Sequence, residues 1–245
     1  MTLNPKAIPL SLYVHWPWCV RKCPYCDFNS HGVGYGAALP EAAYVAALLE
    51  DLDADLAWVQ GREIVSIFIG GGTPSLFSPE AYHQLFAGLR QRLVFAADIE
   101  ITLEANPGTT EHGRFAGYRE AGINRLSLGV QSFQPAQLTA LGRIHSGDEA
   151  VQAMQLARDA GFDNVNLDLM HGLPGQDTAL ALADIEQALA LAPTHLSWYQ
   201  LTLEPNTEFF SQPPPLPDEE RLWDIQDAGH ALLEEAGFSR YEISA

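Results

Sequence analysis

The chain has 245 residues, 47% of them hydrophobic and 18% charged, with a formal net charge of -18, which is the composition of one globular domain with a sizeable core. That charge repels a phosphate backbone and an anionic lipid surface, which argues against general nucleic-acid binding and against membrane-surface binding. No run of about 18 apolar residues occurs and Met1 to Pro9 lacks the basic-then-apolar order of a secretory signal, so the expectation is a soluble, cytoplasmic protein without an integral membrane segment.

Strand-like and helix-like runs alternate along the chain. Leu10 to Val14 is the first strand candidate, followed after the cysteine segment by a long Ala-rich helix over Pro40 to Trp58. Ile64 to Ile69 is the second strand, and Ser78-Pro79-Glu80 supplies a capping hydroxyl, a first-turn proline and a first-turn acid to the helix after it. The strands Ile99 to Glu104, Arg125 to Gly129, Asn164 to Leu169 and His195 to Leu203 then alternate with helices over Thr110 to Ala121, Asp148 to Ala160, Asp177 to Leu191 and Asp218 to Ala236. Strands rich in Val, Ile, Leu and Phe suit a sheet covered on both faces, and the alternation is that of an α/β fold with a parallel sheet. Helix ends with a glycine stop recur at Gly122, Gly161 and Gly237. The third is followed by Ser239 to Ile243, which has the pattern of a further strand, so the chain is expected to be a fragment, one core domain over 1–245 of a longer protein. Pro213-Pro214-Pro215-Leu216-Pro217 is expected to set a rigid turn into the last helix.

All three cysteines, Cys19, Cys23 and Cys26, fall within one short stretch, which is not the distribution of a disulfide framework. The segment is locally basic, with Lys6, Arg21 and Lys22 against the single acid Asp27 in the first thirty residues, which suits an anionic ligand. A cubane iron-sulfur cluster with three thiolate ligands leaves one iron open to an outside ligand. The alternative, structural zinc, closes at four ligands and would need His15 or His31. In a parallel barrel the functional groups stand where strands end. The second strand runs into Gly70-Gly71-Gly72-Thr73-Pro74, where bare backbone lets amides approach a ligand, although a plain tight turn accounts for the same glycines. Glu104 can accept from an amino group or a ribose, or stand as a surface acid. Gln131 and Asp168 end later strands, and Arg143 can pair with a carboxylate. His145 and His171 are expected to find backbone partners.

The C-x3-C-x2-C spacing, with Tyr25 before its last cysteine, and the GGGTP turn together resemble the radical SAM superfamily. Further segments, among them Cys23 to Ser30, Phe68 to Ser75, Leu103 to Gly108, Gly129 to Phe133, Leu141 to His145, Leu167 to Pro174 and Ser197 to Thr207, are similar to the oxygen-independent coproporphyrinogen III oxidase group, and within it to the HemW-type heme chaperones. The resemblance covers essentially the whole chain. It implies an incomplete parallel (β/α)6 barrel, against eight units in the closed form. It implies a 4Fe-4S cluster on Cys19, Cys23 and Cys26, whose open iron takes the amino and carboxylate groups of S-adenosylmethionine. It further implies contacts to that cofactor from Tyr13, Tyr25, Gly71, Gly72, Thr73, Glu104, Gln131, Arg143 and Asp168. An electron from a flavodoxin-like reductant would release a deoxyadenosyl radical. No residue is assigned as catalytic. The resemblance also implies heme or a porphyrinogen as ligand and respiratory proteins as heme recipients. The oxidases of the group carry a further cysteine where this chain has Phe28, which favours the chaperone over the oxidase. The family's C-terminal domain, with its HNxxYW-like motif, is absent from this sequence. A zinc-stabilised binding domain stays as the alternative outside the family.

Overall fold

The computed structural model describes residues 8–108 and 113–243. In chain order its elements are β1 (Leu10–Trp16), the two-residue strands β2 (Trp18–Cys19) and β3 (His31–Gly32), α1 (Glu41–Val59), β4 (Ile64–Gly71), α2 (Pro79–Arg90), β5 (Phe95–Ala105), α3 (Phe115–Ala121), β6 (Arg125–Gln131), α4 (Pro135–Ala140), α5 (Gly147–Asp159), β7 (Val165–His171), α6 (Thr178–Ala190), β8 (His195–Gln200), α7 (Glu208–Ser211) and α8 (Glu219–Glu235). Strands β1, β4, β5, β6, β7 and β8 lie side by side in that order, each parallel to its neighbour. A parallel neighbour needs a crossover that returns to the same end of the sheet, and helices supply most of it. The result is an incomplete α/β barrel.

Alternation along each strand separates two faces. One face carries Val14, Trp16, Ile67, Ile69, Ile101, Leu103, Leu126, Leu128, Val130, Val165, Leu167 and Leu169, all buried in the main hydrophobic core with residues of α1, α2, α3 and α5. The other face is largely polar: Ser11 bonds Ser66 at 2.7 Å, Ser127 donates to Asp168 at 2.9 Å, and Asn166 donates to the Ser197 hydroxyl at 3.0 Å. The core therefore lies outside the curl of the sheet, under the helices, and polar groups line the inside.

Helix starts follow the sequence closely. Ser78 Oγ accepts from Ala81 N, Asp177 and Asp218 do the same for Leu180 and Arg221, and Ser146 with Glu149 forms a full capping box. The glycine stops at 122, 161 and 237 all take positive φ. Helix α8 docks so closely on β8 that a side chain at Gly229 would overlap the Trp198 ring.

Three expectations need correction. The third helix begins at Phe115, with residues 110–112 outside the described set. The last strand ends at Gln200, because the chain turns away at Glu204 to Thr207, where the Thr207 hydroxyl donates to the Glu204 carbonyl at 2.7 Å. Residues 239–243 form no strand: Tyr241 meets the His195 ring at a 6.3 Å centroid distance but joins no ladder, and its side chain is 78% exposed. The short elements β2, β3, α4 and α7 had no counterpart in the sequence reading. Among the described residues no helix is long and apolar enough to cross a membrane.

Candidate functional site

The cysteine segment leaves the C-terminal end of β1 and is folded by local bonds. The β2–β3 pairing sets Cys19 beside Gly32, with Val33 N donating to the Cys19 carbonyl at 2.9 Å. Lys22 Nζ donates to the Phe28 carbonyl at 2.8 Å and the Ser30 carbonyl at 3.4 Å, closing the loop on itself. The basic character read from the sequence is thus partly consumed as a structural clamp. His15 Nε2 meets the Asn29 carbonyl at 2.9 Å, so Nε2 carries the proton and Nδ1 accepts from the Tyr13 hydroxyl at 3.1 Å. All three cysteines are free, with Cys19 buried and Cys23 and Cys26 partly so. Burial raises the thiol pKa of Cys19 and of Cys26, and the charge of Cys23 pushes both further in the same direction, while Ser30 and Lys22 oppose the rise. Among the described residues no three His, Cys, Asp or Glu side chains are grouped closely enough to hold a metal ion as they stand, the three cysteines included.

The glycine turn at the end of β4 is wedged against this segment. Gly72 N donates to the Trp16 carbonyl at 2.6 Å and Thr73 N to the Trp18 carbonyl at 2.7 Å. A Cβ at Gly71, where φ is +116°, would stand 2.7 Å from the Trp16 carbonyl and the His15 ring, and one at Gly72 would stand 2.6 Å from the Trp18 carbonyl. Gly71 N donates to Glu104 Oε2 at 3.2 Å. The amides of 71, 72 and 73 are therefore engaged inside the protein, and the glycines are required first by the close packing of two backbones.

The ends of β5, β6 and β7 bring charged groups to the same mouth. Glu104, at the end of β5, has its carboxyl pKa pushed up to about 7, chiefly by burial and then by Asp168, with the Gly71 amide opposing. Asp168 is itself raised by burial although Ser127 at 2.9 Å and Asn166 at 2.8 Å donate to it. Arg143 is half-buried; its Nη2 donates to Asn106 Oδ1 at 2.6 Å and to the Gly129 carbonyl at 2.7 Å, and Nη1 faces Cys23 Sγ at 3.7 Å. Its Nε is buried without a partner. Within the described residues its guanidinium is held by an amide, a carbonyl and a sulfur. Asn106 Nδ2 in turn donates to the Thr73 hydroxyl at 3.1 Å.

Gln131, 6% exposed, takes φ of +67° just after a bulge in the β6–β7 ladder, a conformation that non-glycine residues hold only when their surroundings fix it. Its Oε1 accepts from Tyr199 OH at 2.9 Å. Tyr25 lies over Phe209 at a 6.4 Å centroid distance and has its phenol pKa pushed up by burial. Tyr13 is more than half exposed and stacks on Phe68 at 6.3 Å, reaching the rest of the site only through His15. His145 Nε2 donates to the Val130 carbonyl at 3.0 Å as expected, and burial with Arg143 nearby lowers its pKa to about 3, so the ring is neutral. His171 departs from expectation: its Nδ1 is buried without a partner, and its ring packs on Trp198 at 4.2 Å.

Cys23, Arg143, Thr73 and Cys19 thus meet through contacts at one end of the barrel, with Glu104, Asp168 and Gln131 beside them. Three further participants, Asn106, Tyr199 and Gly129, were not singled out above as binding residues. Their signal was positional, since each lies at a strand terminus on the inner face. A group requiring three thiolates and a nearby cation fits this donor set: the thiols form no disulfide, and among the described residues the one buried guanidinium nitrogen without a partner belongs to the residue facing Cys23.

Comparison with known proteins points the same way. Residues 13–187 match the pattern of the radical SAM superfamily. The chain is 58% identical over 240 residues to the heme chaperone HemW of Escherichia coli (strain K12) and 55% identical over 245 residues to that of Haemophilus influenzae. In both cases 98% of this chain is covered and the chain spans 63% of the relative's length. Among solved structures, the coproporphyrinogen III oxidase HemN of Escherichia coli, described as a radical SAM enzyme, superposes with a TM-score of 0.84 at 29% identity, over 96% of this chain and 54% of that one.

Proposed function

The chain belongs to the radical SAM superfamily, and from that premise we propose that Cys19, Cys23 and Cys26 hold a 4Fe-4S cluster that binds S-adenosylmethionine, in a cytoplasmic heme chaperone of the HemW type. The observation that carries the cofactor reading is the junction of Cys23, Arg143, Asn106 and Thr73, where a half-buried cation faces one thiol and keeps its buried Nε unpartnered. When bound, the two cofactors supply one-electron chemistry that the protein itself lacks.

The chain's own residues then divide the work of binding. The Gly71-Gly72-Thr73 turn, its amides engaged, braces the cysteine segment from the side of β4. Arg143 directs its unpartnered Nε at a carboxylate. Glu104 and Asp168 are acceptors for ribose hydroxyls or an amine, and a Glu104 carboxyl near pKa 7 changes its protonation at small energetic expense when such a donor arrives. Gln131, held by Tyr199, and the ring of Tyr25 close the sides, while Tyr13 covers the open edge of β1. Burial of these groups excludes water from the reacting centre.

Heme handling is supported by the identities of 58% and 55% to proteins named heme chaperone HemW, against 29% to the oxidase, and by Phe28 at the position where the oxidases resembled carry a cysteine. Transfer of heme to respiratory proteins, and reduction by a flavodoxin-like donor, belong to the same proposal. Anaerobic reconstitution, iron and sulfide analysis, and electron paramagnetic resonance with and without S-adenosylmethionine test the cofactor reading. About four irons per chain and a spectrum that changes with the cofactor are expected; zinc in place of iron, or a spectrum indifferent to the cofactor, refutes it. Heme titration followed by transfer to an apo-cytochrome tests the chaperone. The shared core with the oxidase carries a second reading, decarboxylation of coproporphyrinogen III, and protoporphyrinogen formed under reducing anaerobic conditions would establish it instead.

A further inference from the structure

We propose that Asn106 is a positioning residue: it holds the Arg143 guanidinium against Cys23 so that a fixed cation makes the cluster easier to reduce. The inference rests on the assignment of the three cysteines made above and concerns how the protein sets the potential of the group they hold.

Asn106 stands in the loop after β5 and uses both ends of its carboxamide. Oδ1 accepts from Arg143 Nη2 at 2.6 Å, and Nδ2 donates to the Thr73 hydroxyl at 3.1 Å. The same Nη2 also donates to the Gly129 carbonyl at 2.7 Å, so two strand ends grip one nitrogen of the fork. A guanidinium is planar and rigid, and fixing one nitrogen aims the others. The other terminal nitrogen, Nη1, is thereby left facing Cys23 Sγ at 3.7 Å. Gly129 makes room for this convergence, since a Cβ there would stand 3.4 Å from both Arg143 Nη2 and Asn106 Oδ1.

Reduction of a thiolate-held cluster adds a negative charge that spreads onto its sulfurs. An N–H donor and a positive charge at one of those sulfurs favour the reduced form, and hydrogen bonds to sulfur and local charge are among the levers that set cluster potentials. In water this cation would be screened; half-buried and held at fixed distance by Asn106 and Gly129, it is screened less. Lys22, a cation of the cysteine loop itself, has its ammonium tied to the Phe28 and Ser30 carbonyls. A purely structural asparagine would hold the loop and leave the potential alone, so the potential separates the two roles.

The full chain is reconstituted anaerobically as wild type, Asn106→Asp and Arg143→Gln, and the one-electron midpoint is followed by resonance-monitored redox titration. Asn106→Asp keeps the shape and the acceptor for Arg143 while adding a charge that cancels the cation. Both variants are expected to load iron and to lower the equilibrium constant for reduction at least tenfold, a midpoint about 59 mV more negative. Should Asn106→Asp fail to load, the neutral Asn106→Ser carries the same test in the same direction. Loaded variants that keep the wild-type potential would overturn the inference alone. Wild-type protein that takes up no iron would overturn the assignment of the cysteines and this inference with it.

Discussion

Replacing Glu104 with glutamine should make the protein's stability respond differently to pH, because the wild-type carboxyl is buried beside Asp168 and its pKa stands at about 7 against an ordinary 4.5. Glutamine keeps the shape and the oxygen that accepts from Gly71 N, and it is neutral at every pH. At roughly 1.4 kcal/mol for each tenfold change in proton affinity, the displacement from 4.5 to about 7 corresponds to about 3 kcal/mol. The sign follows from proton counting. Between those two values the folded protein holds a proton that the unfolded chain has released, so wild-type stability is fully present below pH 4.5 and is lost as the pH rises through 7. Asp168, raised for the same reason, adds to the trend in both proteins and cancels to first order in the comparison. Urea unfolding of the cofactor-free wild type and variant at pH 5 and pH 8, followed by circular dichroism, measures the difference. The variant should gain on the wild type by about 3 kcal/mol between the two pH values. A difference that stays constant with pH would show that the Glu104 carboxyl is ordinary and that burial at the mouth of the barrel does not perturb it.

Two further substitutions probe the frame of the site. Gly229→Ala forces a methyl group into the Trp198 ring and should lower stability by roughly 1–3 kcal/mol, as overpacking does; an unchanged melting temperature would refute the close docking of α8. Tyr199→Phe leaves the buried Gln131 oxygen without its donor and should lower stability by about 1–2 kcal/mol, with weaker S-adenosylmethionine binding by titration calorimetry. Binding and stability both equal to wild type would show that the bond does not hold Gln131.

The alternation of elements was legible because it depends on local rules: apolar runs for the strands, and caps at Ser78, Ser146, Asp177 and Asp218 for the helices. The cysteine spacing was equally plain. What the sequence did not show depends on distant partners. The pairing of Trp18–Cys19 with His31–Gly32 is too short to leave a pattern. Asn106 looks like any loop asparagine until Arg143, 37 residues later, reaches it. The segment Ser239 to Ile243 has a strand's composition but joins no ladder, since composition cannot report whether an edge accepts a partner. The glycine turn was assigned to the site for a reason the structure revises, because proximity of backbone to backbone and proximity of backbone to ligand leave the same residues in the chain.

The joint between the cysteine segment and the glycine turn consists of two main-chain bonds, from Gly72 to Trp16 and from Thr73 to Trp18. Neither acceptor depends on the side chain that carries it. The two tryptophans are free to serve other ends: Trp16 is fully buried against Phe77 at 3.9 Å and Tyr82 at 5.7 Å. Mutational drift at positions 16 and 18 can therefore remodel the packing beneath the site without separating its two halves, whereas drift at 71 and 72 admits no substitute. The alignment of the cysteine segment with the glycine turn is thus carried by the peptide backbone, and the side chains around it answer to packing.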